Sequence, residues 1–280
     1  MSDNELRALI RHALEEDTGE GDHSSLACIP ASAKGRARLL IKESGIIAGI
    51  RAAREVFRIT DPSLKIETFF KDGDHISFGD IALTAEGNMH SLLRSERLVL
   101  NLMQRMSGIA TATALYVEKV RGTKARITDT RKTTPGMRFL EKEAVRLGGG
   151  TNHRMGLYDM IMLKDNHTDF AGGITTAINR TKEYLQKNNL SLRIEVESRN
   201  LREVSEILAA SGVDRIMLDN FTIPMTAEAV KLIGNAAETE SSGGINLENV
   251  RDYALCGVDF ISIGALTHHI NSLDMSLKAY

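Results

Sequence analysis

Arg131 and Lys132 stand side by side after a short apolar run, Ile127 to Thr130, and a second run, Met160 to Leu163, ends on Lys164. His153 and Arg154 lie between them. Cations placed repeatedly at the exits of apolar segments describe a pocket for an anion, because guanidinium and ammonium groups match carboxylates and phosphates. Residues 129–167 hold seven Lys and Arg against five Asp and Glu, a local positive excess in a chain of formal net charge -2. A lone basic pair is ordinarily a solvated surface feature; repetition at strand exits is what argues for function. Further along, Glu197 and Asp219 close two more apolar runs. They could hold a divalent cation or ribose hydroxyls, or simply pair with Lys164 or Arg131. Ser241-Ser242-Gly243-Gly244 and Ile263-Gly264-Ala265 follow the last two runs. Backbone N–H groups that glycine leaves exposed bind phosphate well. A basic cluster, a carboxylate pair and two glycine turns suit a dianionic substrate beside a magnesium-bound phosphosugar.

These residues need a scaffold that brings many strand ends together. After Arg126, short apolar runs at 127–130, 160–163, 192–196, 215–218, 238–241 and 260–263 alternate with helical stretches at 175–187, 201–211, 226–233 and 247–256. Gly212, Gly234 and Gly257 close the last three helices. An earlier helix follows Thr134 and Pro135, which read as its N-cap and first turn, and stops at Gly148-Gly149-Gly150. A βα repeat predicts a parallel sheet. An open doubly wound sheet concentrates ligands at one switch point, whereas six successive strands each deliver polar or glycine residues here, which suits a barrel. No dinucleotide fingerprint or P-loop lysine motif is present.

The first part of the chain reads differently. Ser2 and Glu5 fit a capping box before a helix with Leu6, Leu9, Ile10, Ala13 and Leu14 on one face. Glu16 to Asp22 reads as a solvated acidic loop. Strands at 37–42, 64–70 and 81–85 and a helix at 50–59 form an α+β sheet region. A long helix then runs from Ser91 to about Arg121, with Gly108 as a break or bend. Its Arg94, Arg97 and Arg105 read by composition as solvated.

Composition narrows the classes. The 280 residues are 42% hydrophobic and 26% charged, an ordinary globular balance. No apolar run reaches membrane-span length, and Met-Ser-Asp-Asn-Glu lacks a basic region before an apolar stretch, so neither membrane insertion nor a signal peptide is expected. Cys28 and Cys256, with no metal-like neighbours, fit buried hydrophobes in a reducing cytoplasm. Near-neutral charge gives no case for nucleic-acid binding.

Thr130-Arg131-Lys132-Thr133-Thr134-Pro135-Gly136-Met137-Arg138, Gly148-Gly149-Gly150 with Asn152-His153-Arg154, and Lys164-Asp165-Asn166-His167 resemble the signature of quinolinate phosphoribosyltransferases. Glu195-Val196-Glu197, Leu218-Asp219-Asn220-Phe221, Ser242-Gly243-Gly244-Ile245 and Gly264-Ala265-Leu266-Thr267-His268 match as well. So do Ser95-Glu96-Arg97, Ser107 to Thr111, and the loop Glu16-Asp17 to Gly21-Asp22, so the resemblance spans essentially the whole chain. It implies conversion of quinolinate and phosphoribosyl pyrophosphate (PRPP) to nicotinate mononucleotide, pyrophosphate and carbon dioxide, a step of de novo NAD synthesis that requires Mg2+. The implied fold is an N-terminal α/β open sandwich plus an incomplete seven-stranded (β/α) barrel. The expected boundaries are 1–122 for the sandwich with its connecting helix, 123–266 for the barrel, and 267–280 returning to the N-terminal domain. Only six of the seven strands are legible in the runs above.

The resemblance also distributes roles. Arg131, His153, Arg154 and Lys164 would bind quinolinate, and Arg97 would be inserted from a second subunit, making the active unit a homodimer. Lys132 and His268 would lie toward pyrophosphate. Glu197 and Asp219 would hold Mg2+ or the ribose hydroxyls, and Ser242, Gly243, Gly244 and Gly264 would cradle the 5′-phosphate. Lys132, Lys164, Glu197 and Asp219 are the expected catalytic set. Two positions depart from the family pattern: His269 stands where a small hydroxyl residue is usual, and Asp22-His23-Ser24-Ser25 replaces Asp-Ile-Thr-Thr. Three rivals remain open: a Schiff-base barrel aldolase using Lys164, a non-catalytic phosphosugar or nucleotide sensor on the same fold, and a paralogue of that fold such as the barrel proteins associated with molybdenum transport.

Overall fold

A computed structural model describes residues 3–280, so Ser2 and its expected capping box lie outside the described residues. In chain order the elements are α1 (Asp3–Thr18), α2 (His23–Cys28), β1 (Lys34–Ile41), β2 (Gly45–Ile46), α3 (Ile50–Thr60), β3 (Lys65–Thr68), β4 (His75–Ile76), β5 (Ile81–Asn88), α4 (Met89–Lys119), β6 (Arg126–Thr128), α5 (Arg138–Leu147) and β7 (Ile161–Leu163). They continue as α6 (Asp165–Ala171), α7 (Ile174–Lys187), β8 (Ile194–Ser198), α8 (Leu201–Ala210), β9 (Arg215–Asp219), α9 (Ile223–Ile233), β10 (Glu238–Ser242), α10 (Val250–Leu255), β11 (Phe260–Ser262), α11 (Ala265–His268) and β12 (Met275–Ala279). Two compact units result. One gathers the chain up to Ala114 with Thr134–Gly149 and His269–Tyr280; the other holds Leu115–Thr133 and Gly150–His268.

In the first unit an antiparallel sheet runs β12-β1-β5-β3. β1 alternates as a half-buried strand must: Ala37, Leu39 and Ile41 face inward. α3 buries Ala52, Ala53, Val56 and Phe57, and burying the last two contributes about 1.5–3 kcal/mol each. Asp72, from the loop after β3, accepts the Ile50 and Arg51 amides at 2.8 and 3.2 Å and so caps that helix from a distance. Glycine 108 does not break α4, which is continuous. A Cβ there would sit 2.2 Å from the Asn271 carbonyl oxygen, so glycine lets the C-terminal segment lie against the helix. The acidic loop shortens to 19–22, since α1 runs through Thr18, and Asp22 caps α2 by accepting the Ser25 amide at 3.1 Å.

Two further expectations change. The helix expected to start at Thr134 and Pro135 begins instead at Arg138, with Met137 as its N-cap. Thr134 is a turn residue whose carbonyl accepts the Met137 amide, while its own amide donates to Glu141. That helix groups with the first unit. Arg105 is the reason in part: far from solvated, it pairs at 2.6 Å with the fully buried Glu141 of α5.

The second unit is a parallel sheet ordered β6-β11-β10-β9-β8-β7. The expected count of seven strands is corrected to six among the described residues. The seventh position is reduced to one parallel bridge, Thr128 to Thr151, on the β6 edge, and the barrel is not closed. Strands buried on both faces place alternate residues inside. Glu195 and Glu197 therefore share the inner face of β8, as do Arg215, Met217 and Asp219 in β9 and Glu238, Glu240 and Ser242 in β10. The register pairs Glu195 with Arg215, Glu240 with Met217 and Ser242 with Asp219, which stacks these residues in layers. Arg215 stacks on Phe260 at 3.6 Å, and Arg126 covers the same ring at 4.3 Å. The lower interior is thus ionic as well as apolar, and the upper layer opens into a cavity.

Candidate active site

The cavity of about 740 Å³ lies in the second unit at the carboxyl ends of the strands. Arg131, Lys132, His153, Arg154, Lys164, Glu197, Asp219, Ser242, Gly243, Gly244, Gly264 and His268 all line it. The remaining expected residue, Arg97, is exposed on α4 in the first unit. His23 and His269, the two departures, are also exposed.

One wall is cationic. Asp129, fully buried after β6, accepts the His153 amide at 2.9 Å and the Asn152 side-chain amide at 2.5 Å, fixing the loop that presents His153 and Arg154. Arg154 is 9% exposed and donates to the Met160 carbonyl at 3.2 Å. Burial first, and the neighbouring Arg131 charge next, push its guanidinium below the ordinary value. Two guanidinium groups this close make the pocket attractive to an anion. Lys164 caps α6 and reaches Glu197 at 3.7 Å; with half of its side chain exposed, that pair is weak by itself.

The opposite side is acidic and glycine-rich. Burial raises the Glu197 carboxyl, and the adjacent Asp219 raises it further. Two oxygen-donor carboxylates in mutual repulsion fit a hard divalent cation. Asn220 is left-handed at φ 56°, donates to Asp219 at 2.8 Å through its side chain, and donates its amide to the Ser242 carbonyl at 2.8 Å. Gly243, at φ 91°, packs so closely on Asn220 that a Cβ would meet Oδ1 at 2.2 Å. The turn does not run straight into a helix, as α10 begins only at Val250. Gly264 sits between Lys132 and His268, with a hypothetical Cβ 3.0 and 3.1 Å from them. Thr267 Oγ1 donates to the Lys132 carbonyl at 2.8 Å and anchors that loop.

The sequence reading passed over Thr130, Met162, Met217, Glu240, Ile245 and Ser262 as lining residues. A signal existed for several of them. Glu240 and Ser262 stand two positions before Ser242 and Gly264, so they occupy the layer directly beneath.

Residues 22–107 match the family model for the quinolinate phosphoribosyl transferase N-terminal domain, and residues 109–278 match that for the C-terminal domain. The chain belongs to the quinolinate phosphoribosyltransferase family. It is 47% identical to a chloroplastic nicotinate-nucleotide pyrophosphorylase (carboxylating) of Arabidopsis thaliana over 289 aligned positions, 98% of this chain and 82% of that protein. A probable nicotinate-nucleotide pyrophosphorylase of Synechocystis is 43% identical over 96% of this chain and 90% of its own length. The crystal structure of NadC from Streptococcus pyogenes superposes with a TM-score of 0.94 at 38% identity, covering 100% of this chain and 99% of that one. A human nicotinic acid phosphoribosyltransferase at 12% identity and TM-score 0.65 shares the quinolinate phosphoribosyltransferase family's fold only.

Proposed function

We propose that the protein transfers the phosphoribosyl group of PRPP to quinolinate with decarboxylation, giving nicotinate mononucleotide, pyrophosphate and carbon dioxide for NAD biosynthesis. The observation that carries this reading is one cavity, in a chain of this family, with a cationic wall facing a carboxylate pair and glycine turns. Arg131, Arg154 and Lys164, with His153 beside them, form the quinolinate end; Arg97 of a second copy completes it in a homodimer. Ser242, Gly243, Gly244 and Gly264 take the 5′-phosphate. Lys132 and His268 face pyrophosphate.

The chemistry follows from where charge develops. The pyridine nitrogen forms a bond to C1 of the ribose as the C1–O bond to pyrophosphate breaks, and the electron pair leaves with the pyrophosphate oxygen. Lys132 and His268 stabilise that growing negative charge. Glu197 and Asp219 stabilise positive charge on the sugar and orient its hydroxyls. The same two carboxylates would hold Mg2+, which when bound supplies charge neutralisation for the phosphates. The glycosylated ring nitrogen is cationic. The C2–carboxylate bond then breaks, carbon dioxide departs, and the pair left on C2 is stabilised by the adjacent nitrogen until a proton quenches it. No catalytic triad is needed. Lys164 is ion-paired and half-exposed, unlike the desolvated amine of a Schiff-base enzyme. Incubation with Mg2+, PRPP and either quinolinate or nicotinate tests the proposal: product from quinolinate alone supports it, and product from nicotinate alone overturns the substrate.

A further inference from the structure

Beneath the cationic wall, His153 meets two carboxylates that the proposed reaction does not use. His153 Nε2 is 2.9 Å from Glu195 Oε2 and 3.6 Å from Glu240 Oε1, and both carboxylates are fully buried. All three donor atoms lie within 4.8 Å of one another, as metal ligands would. The other ring nitrogen decides between a metal and a proton. Nδ1 accepts the Arg154 backbone amide at 2.8 Å, so it carries no hydrogen. A metal-bound imidazole coordinated through Nε2 keeps its hydrogen on Nδ1, where this amide already points. Nε2 must therefore be the protonated nitrogen, facing the two carboxylates.

We infer that Glu195 and Glu240 are positioning residues that hold His153 as an uncharged imidazole, its Nε2–H turned into the barrel, so that the positive charge this unit brings to the wall comes from Arg131, Arg154 and Lys164 and not from His153. The surroundings agree. Glu240 Oε2 accepts from Arg215 at 2.8 Å, while the approaches of His153 Nε2 to Glu195 Oε2 and Glu240 Oε1 are close contacts rather than well-aligned hydrogen bonds. Arg154 and Arg193 also act on Glu195, Ser262 approaches Glu240, Glu238 shares Arg215, and Asp129 faces the His153 backbone. The consequence for the site runs through Nδ1: a ring pinned by the carboxyl pair fixes the Arg154 amide, and with it the guanidinium that faces the cavity.

The inference rests on the proposed reaction only for its kinetic arm. The first measurement needs no substrate: nitrogen-15 NMR of the full chain labelled at its 8 histidines, with His153 assigned by loss of its signal in His153→Asn. The expected spectrum shows a bare Nδ1 and a protonated Nε2, unchanged between about pH 6 and 8. An imidazolium at neutral pH, or a hydrogen on Nδ1, overturns the inference. In the kinetic arm, Glu195→Ala is expected to raise the quinolinate KM about tenfold while leaving the PRPP KM in place, and Glu195→Gln, which keeps an acceptor for Nε2–H, restores it. A folded Glu195→Ala protein with an unchanged His153 spectrum and an unchanged quinolinate KM also overturns it. Absence of turnover in the wild type would instead count against the reaction, with the NMR result still standing.

Discussion

Glu240→Gln should flatten the dependence of stability on pH. In the folded protein burial, and secondarily the neighbouring Glu195, raise the Glu240 carboxyl to about 7 from its ordinary 4.5. A group whose folded value is raised binds its proton more tightly in the native state, so its contribution is present at low pH and is lost as pH rises through the folded value. The full shift corresponds to about 3 kcal/mol at 1.36 kcal/mol for each unit, of which about 2 kcal/mol falls between about pH 5.5 and 8.5. At roughly 2–4 °C for each kcal/mol, the wild-type melting temperature should drop about 4–8 °C further than that of Glu240→Gln across this interval. Glutamine keeps the shape and leaves an oxygen for Arg215, but it cannot ionise. Thermal melts of both proteins at the two pH values provide the assay, and the difference between proteins cancels the titrating groups other than the coupled Glu195. Parallel pH dependences would refute the picture of a buried carboxyl pair that must ionise to reach high pH.

Other perturbations probe the rim. Gly243→Ala forces a Cβ into Asn220 at a positive φ, dislodging the Asn220–Asp219 bond; the PRPP KM should rise about tenfold with quinolinate binding less affected. Equal effects on both substrates in steady-state kinetics would count against phosphate binding at this turn. Arg97→Ala and Lys164→Ala should each be inactive alone, yet after subunit exchange their mixture should regain about a quarter of wild-type activity, since half of the dimers are hybrids with one intact site. No recovery despite exchange demonstrated by mass would remove Arg97 from the partner's site. Chelating divalent cations should stop turnover, with Mg2+ restoring it, and Glu197→Gln should raise the Mg2+ concentration needed for half-maximal rate; an unchanged requirement would point to metal held by PRPP alone.

The rim was legible because its chemistry sits at strand exits, where polar residues interrupt apolar runs: Lys164, Asp219 and Gly264 each follow such a run. The helices with one apolar stripe and a closing glycine, such as α9 with Gly234, were legible for the same local reasons. What escaped depends on partners distant in sequence. β12 is five residues long and forms a strand only because β1 offers it an edge. Thr151 makes a single bridge and carries no pattern of its own. Thr134 looked like a helix cap because capping by Glu141 and Arg105 comes from elsewhere in the chain. Glu195 and Glu240 read as interruptions of apolar strands; only the inner-face register shows that they meet Arg215 and His153.

The central claim is tested most directly by following nicotinate mononucleotide and carbon dioxide from purified protein with Mg2+, PRPP and quinolinate, beside a parallel reaction with nicotinate. The account predicts equal amounts of both products from quinolinate and none from nicotinate. Folded protein that binds PRPP but releases neither product would contradict it.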